Sequence, residues 1–182
     1  MATVVFIQGG GDGAYDEDAL LVQSLRRELD DGIPVEYPRM PVEGDPDPVR
    51  WGPAIASAIG QAAPPLVLVA HSIGGYLLLK QLLAEPPELP VLAICLISVP
   101  FPGGDAHWTF EGFDLLAGFG DLLPAPVYLY ASKDDDTVPF AHRDLYAAAV
   151  PGSTTRTTTG GHQLANDLRI VADDIRAIVT RG

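Results

Sequence analysis

Leu66-Val67-Leu68-Val69-Ala70-His71-Ser72-Ile73-Gly74-Gly75 is the stretch on which the reading of the whole chain turns. An apolar run over 66–69 stops at a histidine and a serine, and after two glycines the leucine-rich segment 76–83 continues without a break. The run reads as a buried strand, and the segment beyond, apolar nearly all round, as a helix packed in the middle of a domain. Ser72 therefore sits on a tight strand-to-helix bend, in a sparsely populated backbone region that costs about 1–3 kcal/mol. A serine held at that cost is a candidate nucleophile. Its plainer role would be an N-cap for the helix that follows, which leaves His71 and the paired glycines unexplained.

Working outward, strands and helices alternate. Residues 3–7 form a β-branched and aromatic run that enters Gly9-Gly10-Gly11, which reads as a strand buried on both faces. A helix is expected from about Asp16, with Val22, Leu25 and Leu29 on one face, Asp16, Glu17 and Asp18 at its positive end, and Gly32 closing it. Residues 34–37 supply a short strand, and 38–53 a proline-rich acidic connection ending near Trp51, with Pro53 opening a helix that carries Ile55 and Ile59. Further strands are expected at 91–98, 127–130 and 153–159. A helix begun at Pro139 covers 140–149, and a last helix bears Leu164, Leu168, Val171, Ile175, Ile178 and Val179. The fold class that follows is α/β: a three-layer α/β/α sandwich around a mostly parallel sheet of about six strands, with right-handed crossovers.

Composition sets the bounds. With 182 residues, 47% hydrophobic and 19% charged, the chain suits one globular domain over 1–182 rather than a disordered segment. A net charge of −13 repels phosphate backbones and anionic lipid, so neither nucleic acid nor a membrane is expected as a partner. Cys95, the only cysteine, lies in an apolar run and allows no internal disulfide; the apolar run at 4–7 is too short for a signal sequence or a span. A cytoplasmic monomer or homodimer is the expectation. The segment at about 99–125 breaks the pattern with Phe101, Trp108, Phe110, Phe113 and Phe119, which suit either a core stripe or a lid-like wall of an apolar pocket.

In such a sheet ligands bind at the carboxyl ends of the strands. The loops leaving those ends hold Gly9 to Gly13, His71-Ser72, residues 100–105, Asp134 to Asp136 and Gly160-Gly161-His162. A serine, a group of acids and a histidine thus share one edge, in the chain order Ser, Asp, His that suits a nucleophile, an orienting carboxylate and a base.

Three motifs, Ala70-His71-Ser72-Ile73-Gly74, Ser132-Lys133-Asp134-Asp135-Asp136-Thr137-Val138-Pro139 and Gly160-Gly161-His162, give the chain its resemblance to the α/β-hydrolase superfamily. The likeness spans almost the whole chain and is greatest to the small, nearly lidless serine hydrolases. Ala70 stands where the elbow pattern has glycine, and Ser132 where the acid loop commonly has one. The resemblance implies catalytic Ser72, His162 and Asp135, with Asp134 and Asp136 as rivals for the acid and Asp105 as a minor alternative. It also implies oxyanion donors at the Ile73 and Gly10 backbone N–H groups, because Gln8-Gly9-Gly10 stands where similar enzymes carry His-Gly-x. The expected activity is esterase-like cleavage of a small-molecule acyl substrate without cofactor or metal, and His71, Trp108 and Phe101 are the pocket candidates. His142 is placed on a helix surface, and neither it nor His107 has metal-ligand spacing.

Two rivals remain. Gly9-Gly10-Gly11-Asp12-Gly13-Ala14 satisfies a dinucleotide-binding pattern, although Asp12, Asp16, Glu17 and Asp18 would crowd a pyrophosphate with negative charge. A non-catalytic binding module on the same fold is the other.

Overall fold

The computed structural model describes residues 2–109 and 111–181, so Met1, Phe110 and Gly182 lie outside the described residues. Strands β1 (Thr3–Ile7), β2 (Val35–Glu36), β3 (Leu66–His71), β4 (Val91–Ile97), β5 (Val127–Ser132) and β6 (Thr154–Thr158) form one sheet in the order β2-β1-β3-β4-β5-β6. All neighbours are parallel. The helices are α1 (Ala14–Leu29), α2 (Pro48–Gln61), α3 (Ser72–Ala84), α4 (Ala141–Ala149) and α5 (Arg169–Arg181).

The continuous apolar strands are buried on both faces because alternate residues feed two separate cores. Val5, Ile7, Leu68, Ile94, Leu96 and Leu129 pack with Trp51 and Ile55 of α2, Leu78 of α3 and Tyr146 of α4. Val4, Phe6, Val67, Val69, Cys95 and Tyr130 pack with Leu21 and Leu25 of α1 and with Val171 and Ile175 of α5. The chain runs from β1 to β2 on one side, then crosses to β3 on the other. Strand order therefore reverses between β1 and β3, and the crevice at their carboxyl ends is where a ligand is expected in an open parallel sheet.

Several local expectations are corrected. Helix α2 starts at Pro48, not Pro53: Asp47 caps it by accepting from the Val49 and Arg50 N–H groups, and Pro53 lies inside it. An aspartate followed by proline is a complete helix start, and the later proline was the weaker signal. Trp51 is consequently a fully buried helix residue whose indole N–H donates to the Pro41 carbonyl at 2.7 Å. Leu164 is buried but off the last helix, in a separate turn (Leu164–Asn166) with positive φ at all three residues; α5 begins only at Arg169. Gly32 closes a 3-10 turn (Asp30–Gly32) rather than α1 itself.

His142 is not on the surface. It is 1% exposed, accepts the Phe101 N–H at Nδ1 (2.8 Å) and donates from Nε2 to Asp105 (2.9 Å). Asp105 also accepts the N–H groups of His107 and Trp108. Asp105 is thereby spent on shaping the loop that carries Trp108, and does not meet His162.

Candidate active site

Ser72 has φ +51 and is the first residue of α3, directly after the last residue of β3. The elbow is locked by the loop after β1: a side chain at Gly74 would put its Cβ 1.9 Å from the Gln8 carbonyl oxygen. Only glycine permits that approach. Ala70 is fully buried in β3, in register with Ile7 of β1 and Leu96 of β4, so its methyl belongs to the core.

His162 Nε2 lies 2.9 Å from the Ser72 Oγ, and His162 Nδ1 lies 2.9 Å from Asp135. A buried carboxylate can only accept, so Nδ1 carries the proton and Nε2 faces the hydroxyl as an acceptor. The Asp135 carboxylate is fully buried and the His162 ring 17% exposed. Burial would push the Asp135 carboxyl up, but the His162 hydrogen bond, the Val138 and Thr137 N–H groups and the His162 charge hold it below the usual range. Of its neighbours, Asp134 accepts from the Ser132 hydroxyl and the Gly160 N–H, which ties the acid loop to the histidine loop, and Asp136 is exposed.

Beside this constellation stands a second histidine–aspartate pair. His71 Nδ1 is 2.9 Å from Asp18, and His71 Nε2 is 3.2 Å from the His162 carbonyl. Both partners accept, so a hydrogen bond at both ring nitrogens requires the imidazolium form of His71. Burial opposes that charge, yet the Asp18 charge and hydrogen bond outweigh it and His71 is held above its ordinary value. Asp18, 1% exposed, is pushed up by burial but held low overall by His71, the Gly9 N–H and Gln163. Its carboxylate accepts from the Gly9 N–H (2.7 Å), His71 and the Gln163 amide (3.0 Å), and so joins the glycine loop, the elbow and the histidine loop. In the sequence Asp18 reads as a helix-end acid. The available signal was its position three and four residues before Leu21 and Val22, on the buried stripe of α1.

The glycine loop is sorted by its own hydrogen bonds. Gly9 gives its N–H to Asp18, and Gly11 gives its N–H to the Glu43 carbonyl at 2.7 Å. The backbone N–H groups of Gly10 and Ile73 donate to no group among the described residues, and both residues line two adjoining clefts, one of which contains Ser72. With its first and third N–H groups committed, the loop is no cradle for a pyrophosphate, which removes the structural basis of the dinucleotide reading.

Two clefts adjoin along Gly10, Ile73 and Trp108, and Ser72 opens into one of them. One, of about 510 Å³, is walled by Ile73, Tyr76, Leu77, Trp108 and Phe113. The other, of about 500 Å³, contains Ser72, His162, Gln163, Gly160, Glu17 and Asp136. Trp108 lines both, and His71 is in the second with its nitrogens already committed. Phe101 lines neither: it packs edge-on against Tyr146 at 4.9 Å. Phe113 and Phe119 are core residues, while Phe110 lies outside the described residues. No group of three or more His, Cys, Asp or Glu side chains among the described residues is arranged to hold a metal.

A family model described as serine hydrolase matches residues 24–167. No curated protein matches the sequence. Among solved structures, the ydeN gene product from B. subtilis aligns at TM-score 0.71 and 21% identity, covering 98% of each chain. The esterase domain from a Rhodothermus marinus protein aligns at 0.69 and 20%, covering 99% of this chain and 86% of that one. An extracellular α/β-hydrolase from a Paenibacillus species aligns at 0.66 and 14%, covering 98% and 99%. The likeness establishes an α/β-hydrolase fold. No helix among the described residues is long and apolar enough to cross a membrane.

Proposed function

The chain belongs to the serine hydrolase family, whose pattern spans residues 24–167, and is a hydrolase; we propose that it cleaves carboxylic esters of small to medium acyl acids through an acyl-enzyme on Ser72. The observation that carries the reading is the relay of two 2.9 Å contacts, Ser72 to His162 to Asp135, with the imidazole tautomer fixed by a buried carboxylate. Ser72 Oγ attacks the acyl carbonyl as its proton passes to His162 Nε2. The tetrahedral oxyanion is held by the Ile73 and Gly10 N–H groups, and its collapse expels the alcohol, protonated by His162. Water, deprotonated by the same nitrogen, then releases the carboxylic acid and restores Ser72. Asp135 orients the ring and stabilises the imidazolium throughout.

The esterase domain among the structural neighbours is consistent with an ester substrate. A small-molecule substrate, a cytoplasmic location and a monomer or homodimer complete the reading. Hydrolysis of p-nitrophenyl butyrate tests it. Ser72→Ala should lower the rate on the order of 10⁴–10⁶-fold, and a fluorophosphonate should label Ser72 alone. Equal rates from the two proteins would return the molecule to a binding module on a hydrolase fold.

A further inference from the structure

The two clefts differ in both wall chemistry and relation to the base. In acyl transfer the group that protonates the departing alcohol must lie beside it, so the alcohol side of the substrate occupies the cleft that contains His162. That cleft also holds Gly160, Gln163, Thr137, Glu17 and Asp136. The other, walled by Tyr76, Leu77, Trp108 and Phe113, lies beyond Ile73 and is left for the acyl chain.

Charge is distributed unevenly between them. Glu17 and Asp136 are exposed in the alcohol-side cleft, and no lysine or arginine lines either cleft among the described residues. His71, the one basic side chain lining the alcohol-side cleft besides His162 among the described residues, is buried and paired with Asp18 at 2.9 Å. Acids also flank the acyl cleft, Asp47 and Glu111, but Asp47 is engaged by Arg50. The field at the mouth is therefore negative, and the net charge of −13 reinforces it.

Resting on the ester hydrolase reading, we propose that the clefts divide the substrate: an uncharged apolar acyl group lies against Trp108, Tyr76 and Phe113, and a cationic alcohol, of the amino-alcohol class, lies beside Glu17 and Asp136. Anionic esters and polyphosphate-bearing thioesters are disfavoured by the same field. The two carboxylates act on encounter and on binding of the alcohol portion, without touching the reacting atoms.

The test holds the acyl group constant and varies only charge on the alcohol: butyrylcholine, the butyrate ester in which carbon replaces the ammonium nitrogen, and the butyrate ester of glycolate, followed by titration of the released acid. At low ionic strength kcat/KM should fall in that order, by roughly threefold to tenfold per step, and the order should compress in high salt. Glu17→Gln with Asp136→Asn should bring the cation-to-neutral ratio toward one, whereas Glu111→Gln should leave that ratio intact. Equal turnover of the cationic and neutral esters at low salt overturns the proposal while leaving ester hydrolysis in place, as does a ratio controlled by Glu111. No turnover of any of the three overturns ester hydrolysis and this proposal together.

Discussion

Two histidine–aspartate pairs lie side by side at the centre of this molecule, with ring centroids of His71 and His162 4.7 Å apart, and they are built for opposite ends. In the His162 pair one nitrogen is committed to Asp135 and the other meets a hydroxyl that can give up its proton. In the His71 pair both nitrogens meet groups that only accept, a carboxylate and a carbonyl. The first arrangement leaves a basic lone pair facing Ser72; the second locks a positive charge in the interior. The residue types and the histidine–carboxylate distance are the same. What the remaining nitrogen faces decides between a base and a tie.

The largest effect that separates the pairs is on turnover. Asp135→Asn frees His162 to take the wrong tautomer, and kcat should fall about 10⁴-fold with the fold retained, as read by single-turnover kinetics and circular dichroism. A fall of tenfold or less would mean that Asp135 does not set the tautomer.

The next effect is on stability. Asp18→Asn removes the charge that holds the His71 proton against burial and weakens the joint between the glycine, elbow and histidine loops, and should cost about 3–5 kcal/mol in urea unfolding. The double variant Asp18→Asn with His71→Gln removes both charges and should cost less than the sum of the single losses. Strict additivity would show that the two residues are not a coupled ion pair.

How far the sequence carried this comparison differs between the pairs. The open pair is legible because each member follows a strand in a motif with its own spacing: β5, ahead of Asp135, is an apolar run that reads directly as buried, and β6, ahead of His162, is a threonine-rich, half-buried run that reads as a strand by its β-branched residues. The closed pair was only half visible. His71 stands out beside the serine, but Asp18 reads with Asp16 and Glu17 as one of three acids at a helix end, since nothing in those three adjacent positions tells a buried acid from two exposed ones. Its partners Gly9 and Gln163 lie 9 and 145 residues away, and only the assembled sheet brings them together. The choice of Gly10 as oxyanion donor came from resemblance alone. In the structure Gly9 and Gly11 have their N–H groups committed elsewhere, to Asp18 and to the Glu43 carbonyl. At Pro53, Leu164 and His142 one cause recurs: a tertiary partner or a nearby cap outweighs the local pattern.

The smallest effect is the dependence of the closed pair on pH, and its sign follows from both partners. His71 is raised above the ordinary imidazole value of 6.5, so its stabilising charge is fully present below that value and is lost as pH rises through the higher folded value. Asp18 is lowered below the ordinary 3.8, so its contribution is fully present above that value and is lost as pH falls through the lower folded one. The stability gap between the natural chain and the Asp18→Asn/His71→Gln double variant, which titrates at neither position, should therefore be widest between 3.8 and 6.5 and narrow on both sides. Urea midpoints across that range measure it. A gap that keeps widening toward alkaline pH would mean that His71 is neutral in the folded chain, and the contrast between a tie and a base would then rest on burial alone.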